Sequence, residues 1–149
     1  MELVIPVMVD SIGPDDSIGG FQLKIVVDST RLQFLDINTD GTLSSSCTIW
    51  SHGHKNDTAS IIATESNLSA SMIGSGPLIY LIYEVVNDTA GVVPLQIDTV
   101  YTRLGKVTGD GSVNLNFNPG SVTFIPTMEL GIESENVTIT TDSVITVPV

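Results

Sequence analysis

Apolar and polar residues alternate with a period of two along most of the chain. Leu3, Ile5, Val7 and Val9 alternate with Val4, Pro6 and Met8, and Phe21, Leu23, Ile25 and Val27 alternate with Gln22, Lys24 and Val26. Successive side chains of a strand point to opposite faces, so the second run reads as a half-buried strand. Shorter strands are expected at residues 32–37, 48–52 and 60–64. Residues 78–86 are apolar on both sides, as in a central strand. Val93, Leu95, Ile97, Thr99 and Tyr101 line one face of a further strand. Val113, Leu115 and Phe117 alternate with asparagines and lead into Asn118-Pro119-Gly120. There proline fixes φ and glycine permits a positive φ, so residues 121–125 are expected to return as the partner strand. No stretch carries a helical stripe.

Short strands separated by turn signals such as Gly109-Asp110-Gly111 predict an all-β sandwich or jelly roll. Pro126 closes a body of residues 1–126. The extension, 127–149, still contains strand-like pieces at 137–140 and 145–149, and Val147-Pro148-Val149 echoes Ile5-Pro6-Val7. It is therefore expected to form a strand, completing the same sheet or a neighbour's.

The chain has 149 residues, 42% of them hydrophobic, enough for one domain with a real core. Only 15% are charged, and Ser, Thr, Asn and Gly fill the polar positions, as suits an extracellular or cell-surface β-protein. The net charge of −12 repels phosphate backbones and anionic lipid, so neither nucleic acid nor membrane is an expected partner. No apolar run approaches the ~20 residues of a membrane-spanning helix. Met1 leads straight into the first expected strand, so no signal peptide is expected. Cys47 is the single cysteine and sits in an apolar stretch, where it reads as a small buried hydrophobe.

Candidate chemistry is sparse. His52 and His54 would share one face of a strand, but no further His or Cys completes a zinc set, so they read as an edge strand or exposed loop. Asp110-Gly111-Ser112-Val113-Asn114 spaces oxygens like part of a calcium loop yet lacks the closing Glu, and reads as a hairpin turn. Asp15-Asp16 reads as a solvated loop, and Ser75 between two glycines lacks the spacing of a nucleophile elbow. Asn56, Asn67, Asn87 and Asn136 fit the N-x-Ser/Thr sequon. No catalytic residue, metal ligand or cofactor is assigned, and the chain is expected not to be an enzyme.

Several segments in order resemble one known family. Gly20-Phe21-Gln22-Leu23-Lys24 through Asp28 to Leu32-Gln33-Phe34 is similar to a cohesin signature, in which an alternating strand ends in an apolar residue, Asp, a turn and Leu. Gly74-Ser75-Gly76-Pro77-Leu78, Ala90-Gly91-Val92-Val93-Pro94-Leu95 and Gly120-Ser121-Val122-Thr123-Phe124 resemble later strands of the same family. The match spans residues 3–126. These are the dockerin-binding modules of cellulosomes, not the chromosome proteins of that name. The resemblance implies a jelly-roll sandwich of about nine strands with no catalytic site. It implies a flat sheet face that binds a dockerin, with calcium carried by that partner. Strand alternation selects Gly20, Gln22 and Lys24 on that face, and residues 64–67 resemble the family's contact-bearing strand end, adding Glu65 and Asn67. Cohesins usually begin with a strand before the Ile-Pro-Val-like one. Residues 136–149 resemble that strand displaced to the C-terminus, which pairs with its own body or by strand exchange with a neighbouring copy.

Two other functions share this architecture. A carbohydrate-binding module would bind polysaccharide on exposed rings, for which Trp50, Tyr80, Tyr83 and Tyr101 are the candidates. A structural spacer or adhesin domain needs no ligand. Fold alone does not separate these readings, because function resides in sites.

Overall fold

A computed structural model describes residues 1–65, 72–107, 115–125 and, in its backbone, 136–138; of Trp50 only the backbone is described. Ten strands are present among these residues. They are β1 (Glu2–Ile12), β2 (Ile18–Val26), β3 (Leu32–Asn38), β4 (Cys47–Lys55), β5 (Thr58–Glu65), β6 (Gly74–Val85), β7 (Gly91–Ile97), β8 (Arg103–Lys106), β9 (Gly120–Ile125) and β10 (Asn136–Thr138). One 3-10 turn at Pro14–Asp16 joins β1 to β2, and Asp16 Oδ2 accepts the Gly13 N–H at 2.7 Å.

The strands form two antiparallel sheets, in the orders β1-β6-β3 and β10-β9-β7-β2-β5-β4. β7 and β8 share one side of β2: β7 pairs at Ile25 and Val26, and β8 from Ile18 to Gln22. The expected all-β jelly-roll sandwich is what forms, with the apolar β6 at the centre of its sheet.

The layers meet over one apolar core. Leu3, Ile5, Leu32, Phe34, Ile79, Leu81 and Tyr83 come from the smaller sheet. Phe21, Leu23, Ile25, Ile61, Val93, Leu95, Val122 and Phe124 come from the larger. Each contributes about 1.5–3 kcal/mol on burial for a side chain of Val, Leu, Ile or Phe size. Phe34 and Tyr83, opposite each other in the ladder, meet edge to face at 5.6 Å.

Two expected strands are corrected. The strand at 93–101 ends at Ile97, so Thr99 and Tyr101 do not continue its face. Asp98 breaks it: its Oδ1 accepts the Val100 and Tyr101 N–H groups at 3.1 and 3.3 Å, and its carbonyl accepts Thr102 N–H at 3.0 Å. The side-chain acceptor mimics a turn and reverses the chain into β8, which was not foreseen. The expected hairpin of 113–117 with 121–125 does not form either. Leu115, Asn116 and Phe117 lie outside any strand, and β9 pairs with β7 and β10 instead. Alternation reports a strand's two faces and is silent on its ladder partner. Residues 113–114, the 109–111 turn and the 145–149 piece lie outside the described residues; of 137–140, residues 137–138 fall in β10.

The loop before β4 is fixed by a buried hydroxyl. Ser44 is fully buried; its Oγ donates to the Leu78 carbonyl at 2.6 Å and lies 3.1 Å from Thr42 Oγ1. Beside the loop, Cys47 Sγ donates to Met72 Sδ at 3.7 Å. Burial, and secondarily the Glu65 carboxylate, push the Cys47 thiol up to about 11. The Tyr83 hydroxyl is buried with no hydrogen-bond partner among the described residues, and its burial raises the phenol's pKa.

Three predictions follow from this packing. Ser44→Ala strands the Leu78 carbonyl and should cost about 1–2 kcal/mol in urea unfolding; an unchanged midpoint would contradict the clamp. Tyr83→Phe keeps the ring and removes an unpaired hydroxyl, so stability should hold or rise by up to about 1 kcal/mol, and a clear loss would reveal a hidden partner. Thiolate is the reactive form of cysteine, so at pH 8 a disulfide reagent should label native Cys47 at least about 100-fold more slowly than the urea-unfolded chain. Equal rates would show an accessible, unperturbed thiol.

Candidate docking face

β2 lies inside the larger sheet, and the burial of Phe21, Leu23 and Ile25 directs the alternate positions outward. Pairing extends those positions into cross-strand rows. Thr48, Thr64, Gly20 and Gly105 form one row. Ser51, Ile62, Gln22 and Arg103 form the next, followed by Gly53, Ser60 and Lys24. The result is a broad outer face across β4, β5, β2 and β8.

Small residues flatten this face at one end. A Cβ on Gly20 would lie 2.6 Å from the Ala63 carbonyl oxygen, so close β2–β5 approach requires glycine there. Gly105 is opposite it and half-buried, whereas Gly20 itself is buried. A shallow trough of about 260 Å³ runs over the two glycines, bordered by Gln22, Ile62, Thr64, Arg103 and Lys106. Ile62 is 41% exposed, an apolar anchor in a polar field. At the other end Lys24 Nζ sits 4.0 Å above the Tyr101 ring, a cation–π contact that holds the ammonium over the sheet.

Of the residues singled out in the sequence, Gln22 and Lys24 stand half-buried on this face and Gly20 lies buried in its floor. Glu65 does not join them. Ile61 and Ala63 are buried and Ile62 is exposed, so the same parity turns Glu65 inward, where it is 5% exposed. Ser46 Oγ donates to both of its carboxylate oxygens at 2.9 Å. Asn67 lies outside the described residues. Ile62, Thr64, Arg103, Gly105 and Lys106 were not selected in advance. The alternation of β5 carried the signal for the first two; the other three depend on β8, which the Asp98 turn concealed.

The remaining candidates fall elsewhere. His52 and His54 lie on β4, an edge strand, and turn toward β3: His52 Nδ1 is 3.8 Å from Asp36 Oδ1, and the His54 ring meets Phe34 edge-on at 6.1 Å. No group of three metal-ligating side chains occurs among the described residues. The Asp110 loop lies outside them. Among the rings proposed for sugar contact, Tyr83 is removed by burial, Tyr80 is half-buried and Tyr101 is exposed but covered by Lys24.

Comparison with protein-family models and with curated proteins finds no match. Solved structures do match. The seventh ScaB type I cohesin from Pseudobacteroides cellulosolvens aligns with a TM-score of 0.68 at 18% identity, over 89% of this chain and 88% of that one. The sixth cohesin of scaffoldin B from Acetivibrio cellulolyticus, solved in complex with a dockerin, gives 0.66 at 13% identity, over 80% and 86%. The non-cellulosomal cohesin from the archaeon Archaeoglobus fulgidus gives 0.64 at 18% identity, over 80% and 78%. The sandwich that carries this face therefore has the cohesin fold.

Proposed function

We propose that this chain is a non-catalytic receptor module that binds a dockerin borne by another protein, through the outer face of β4, β5, β2 and β8. The observation that carries the reading is the face itself, in a fold whose solved examples include cohesins bound to dockerins. It is wide, built on ladder-paired strands, and floored by the buried Gly20 and the half-buried Gly105. A rigid surface of this kind loses little entropy on docking. Calcium belongs to the partner in this reading. The sparsely charged, hydroxyl- and amide-rich composition supports a place outside the cell or on its surface. The pairing of β10 with β9 supports counting residues 127–149 within the same module.

Gly105 offers a clean test. Its φ lies outside the left-handed region, and an added Cβ would meet only the Gly20 oxygen, at 3.9 Å. Gly105→Val should therefore fold, since β-branched residues suit strands, while filling the trough. In calorimetric titration with calcium-loaded dockerins encoded in the same genome, the unaltered chain should bind at least one. The variant should lose about tenfold or more in affinity, the scale of a displaced interface anchor. Absence of binding by every dockerin, or full tolerance of Gly105→Val, would overturn the assignment.

A further inference from the structure

Charge is sorted between the two sheets. The strands of the smaller sheet carry Glu2, Asp10, Asp36 and Glu84 and no Lys or Arg. The strands of the larger sheet carry Lys24, Lys55, Arg103 and Lys106, four of the five basic residues of the chain. Their one carboxylate is Glu65, which is buried. A chain of net charge −12 thus presents a face from whose described strands no carboxylate projects.

The sorting is also graded along the sheet. The turns beyond the Val26 end of β2 hold Asp28, Asp57 and Asp98, each occupied by local hydrogen bonds from Thr30, Ser29 and Val100 respectively. Arg103 and Lys106 lie toward the opposite end, beside the trough over Gly20 and Gly105. Among the described residues neither forms an ion pair with a carboxylate. Two cations without a carboxylate partner among the described residues, flanking two glycines and the exposed Ile62, favour an anionic occupant with a small apolar side chain.

We propose, resting on the receptor reading above, that the partner is a dockerin whose docking surface is acidic, its carboxylates facing Arg103 and Lys106 and a small aliphatic side chain seated over Gly20 and Gly105. The net repulsion between two acidic proteins is overcome locally, because charges beyond a Debye length of about 10 Å are screened at 0.1 M salt while contacting pairs are not. The face also rejects basic-surfaced dockerins, giving specificity by like-charge cost.

The test uses a panel of calcium-loaded dockerins whose docking helices range from acidic to basic. The acidic members should bind, and their affinity should fall as NaCl rises from about 50 to about 500 mM. Arg103→Glu/Lys106→Glu, checked for an unchanged melting midpoint, should weaken them about tenfold or more, and a Glu→Lys change on the dockerin should restore part of the loss. Binding confined to neutral or basic dockerins, or binding indifferent to both salt and the double variant, overturns the acidic-partner inference and leaves the receptor reading standing. No binding anywhere in the panel overturns both.

Discussion

The packing of Phe21, Leu23 and Ile25 into the inter-layer core is the constraint on which the rest of the molecule depends. A strand has only two sides. Once these three are hidden, Gly20, Gln22 and Lys24 have no choice but the outer side, and pairing passes that parity to β5 and β8. The same constraint that stabilises the sandwich therefore composes its outer surface. Moving β2 by one residue would expose the core side chains and bury Lys24, at a cost no surface contact offsets. The face is in this sense as rigidly specified as the core beneath it.

Much of this was readable in the chain, and the failures have local physical causes. The alternation of β2 and the double-sided apolar run of β6 are each set by one strong signal, so both were legible. The 93–101 run kept the parity of a strand through Thr99 and Tyr101, and only the Asp98 side chain, acting as a turn acceptor, broke it. Nothing in hydrophobic period distinguishes that Asp from one on a strand's solvent side. Glu65 was assigned to the docking face by family resemblance alone. Counting from the buried Ile61 and Ala63 places it inward, and Ser46 supplies the hydrogen bonds that make the burial tolerable. Ladder partners were the least legible, because β9 finds β7 at long range rather than the segment immediately before it.

Net charge illustrates a related loss of information. The excess of 17 acidic over 5 basic residues sets the long-range sign of the field, yet averaging over the chain conceals where the few cations lie. Position on strands recovers them. Lys24 is held by the Tyr101 ring, and Arg103 stands opposite Gln22. A long-range field set by the whole chain and a short-range field set by one face can have opposite signs, and docking is governed by the second at contact distance.

The edges of the sandwich point to the same use of the face. An unpaired strand edge is a template for another chain, and proteins blunt such edges with bulges, proline and charge. β1, β3 and β4 each end a sheet order. β1 has register shifts after Val7 and Val9 and carries Pro6, which has no N–H to offer. β3 shifts between Phe34 and Asp36, leaving Asp36 exposed at the break. β4 shifts between Ile49 and Ser51 and closes on the exposed Lys55. β2 and β5, by contrast, pair without interruption from Gly20 to Val26. The β2–β5 ladder at the centre of the outer face is thus regular, whereas its flanks shift, β8 between Ile18 and Gly20 and β4 between Ile49 and Ser51. A partner that docks on the side chains of the β5–β2 ladder uses its regular region, whereas one that adds a strand to β1, β3 or β4 must work against a bulged strand.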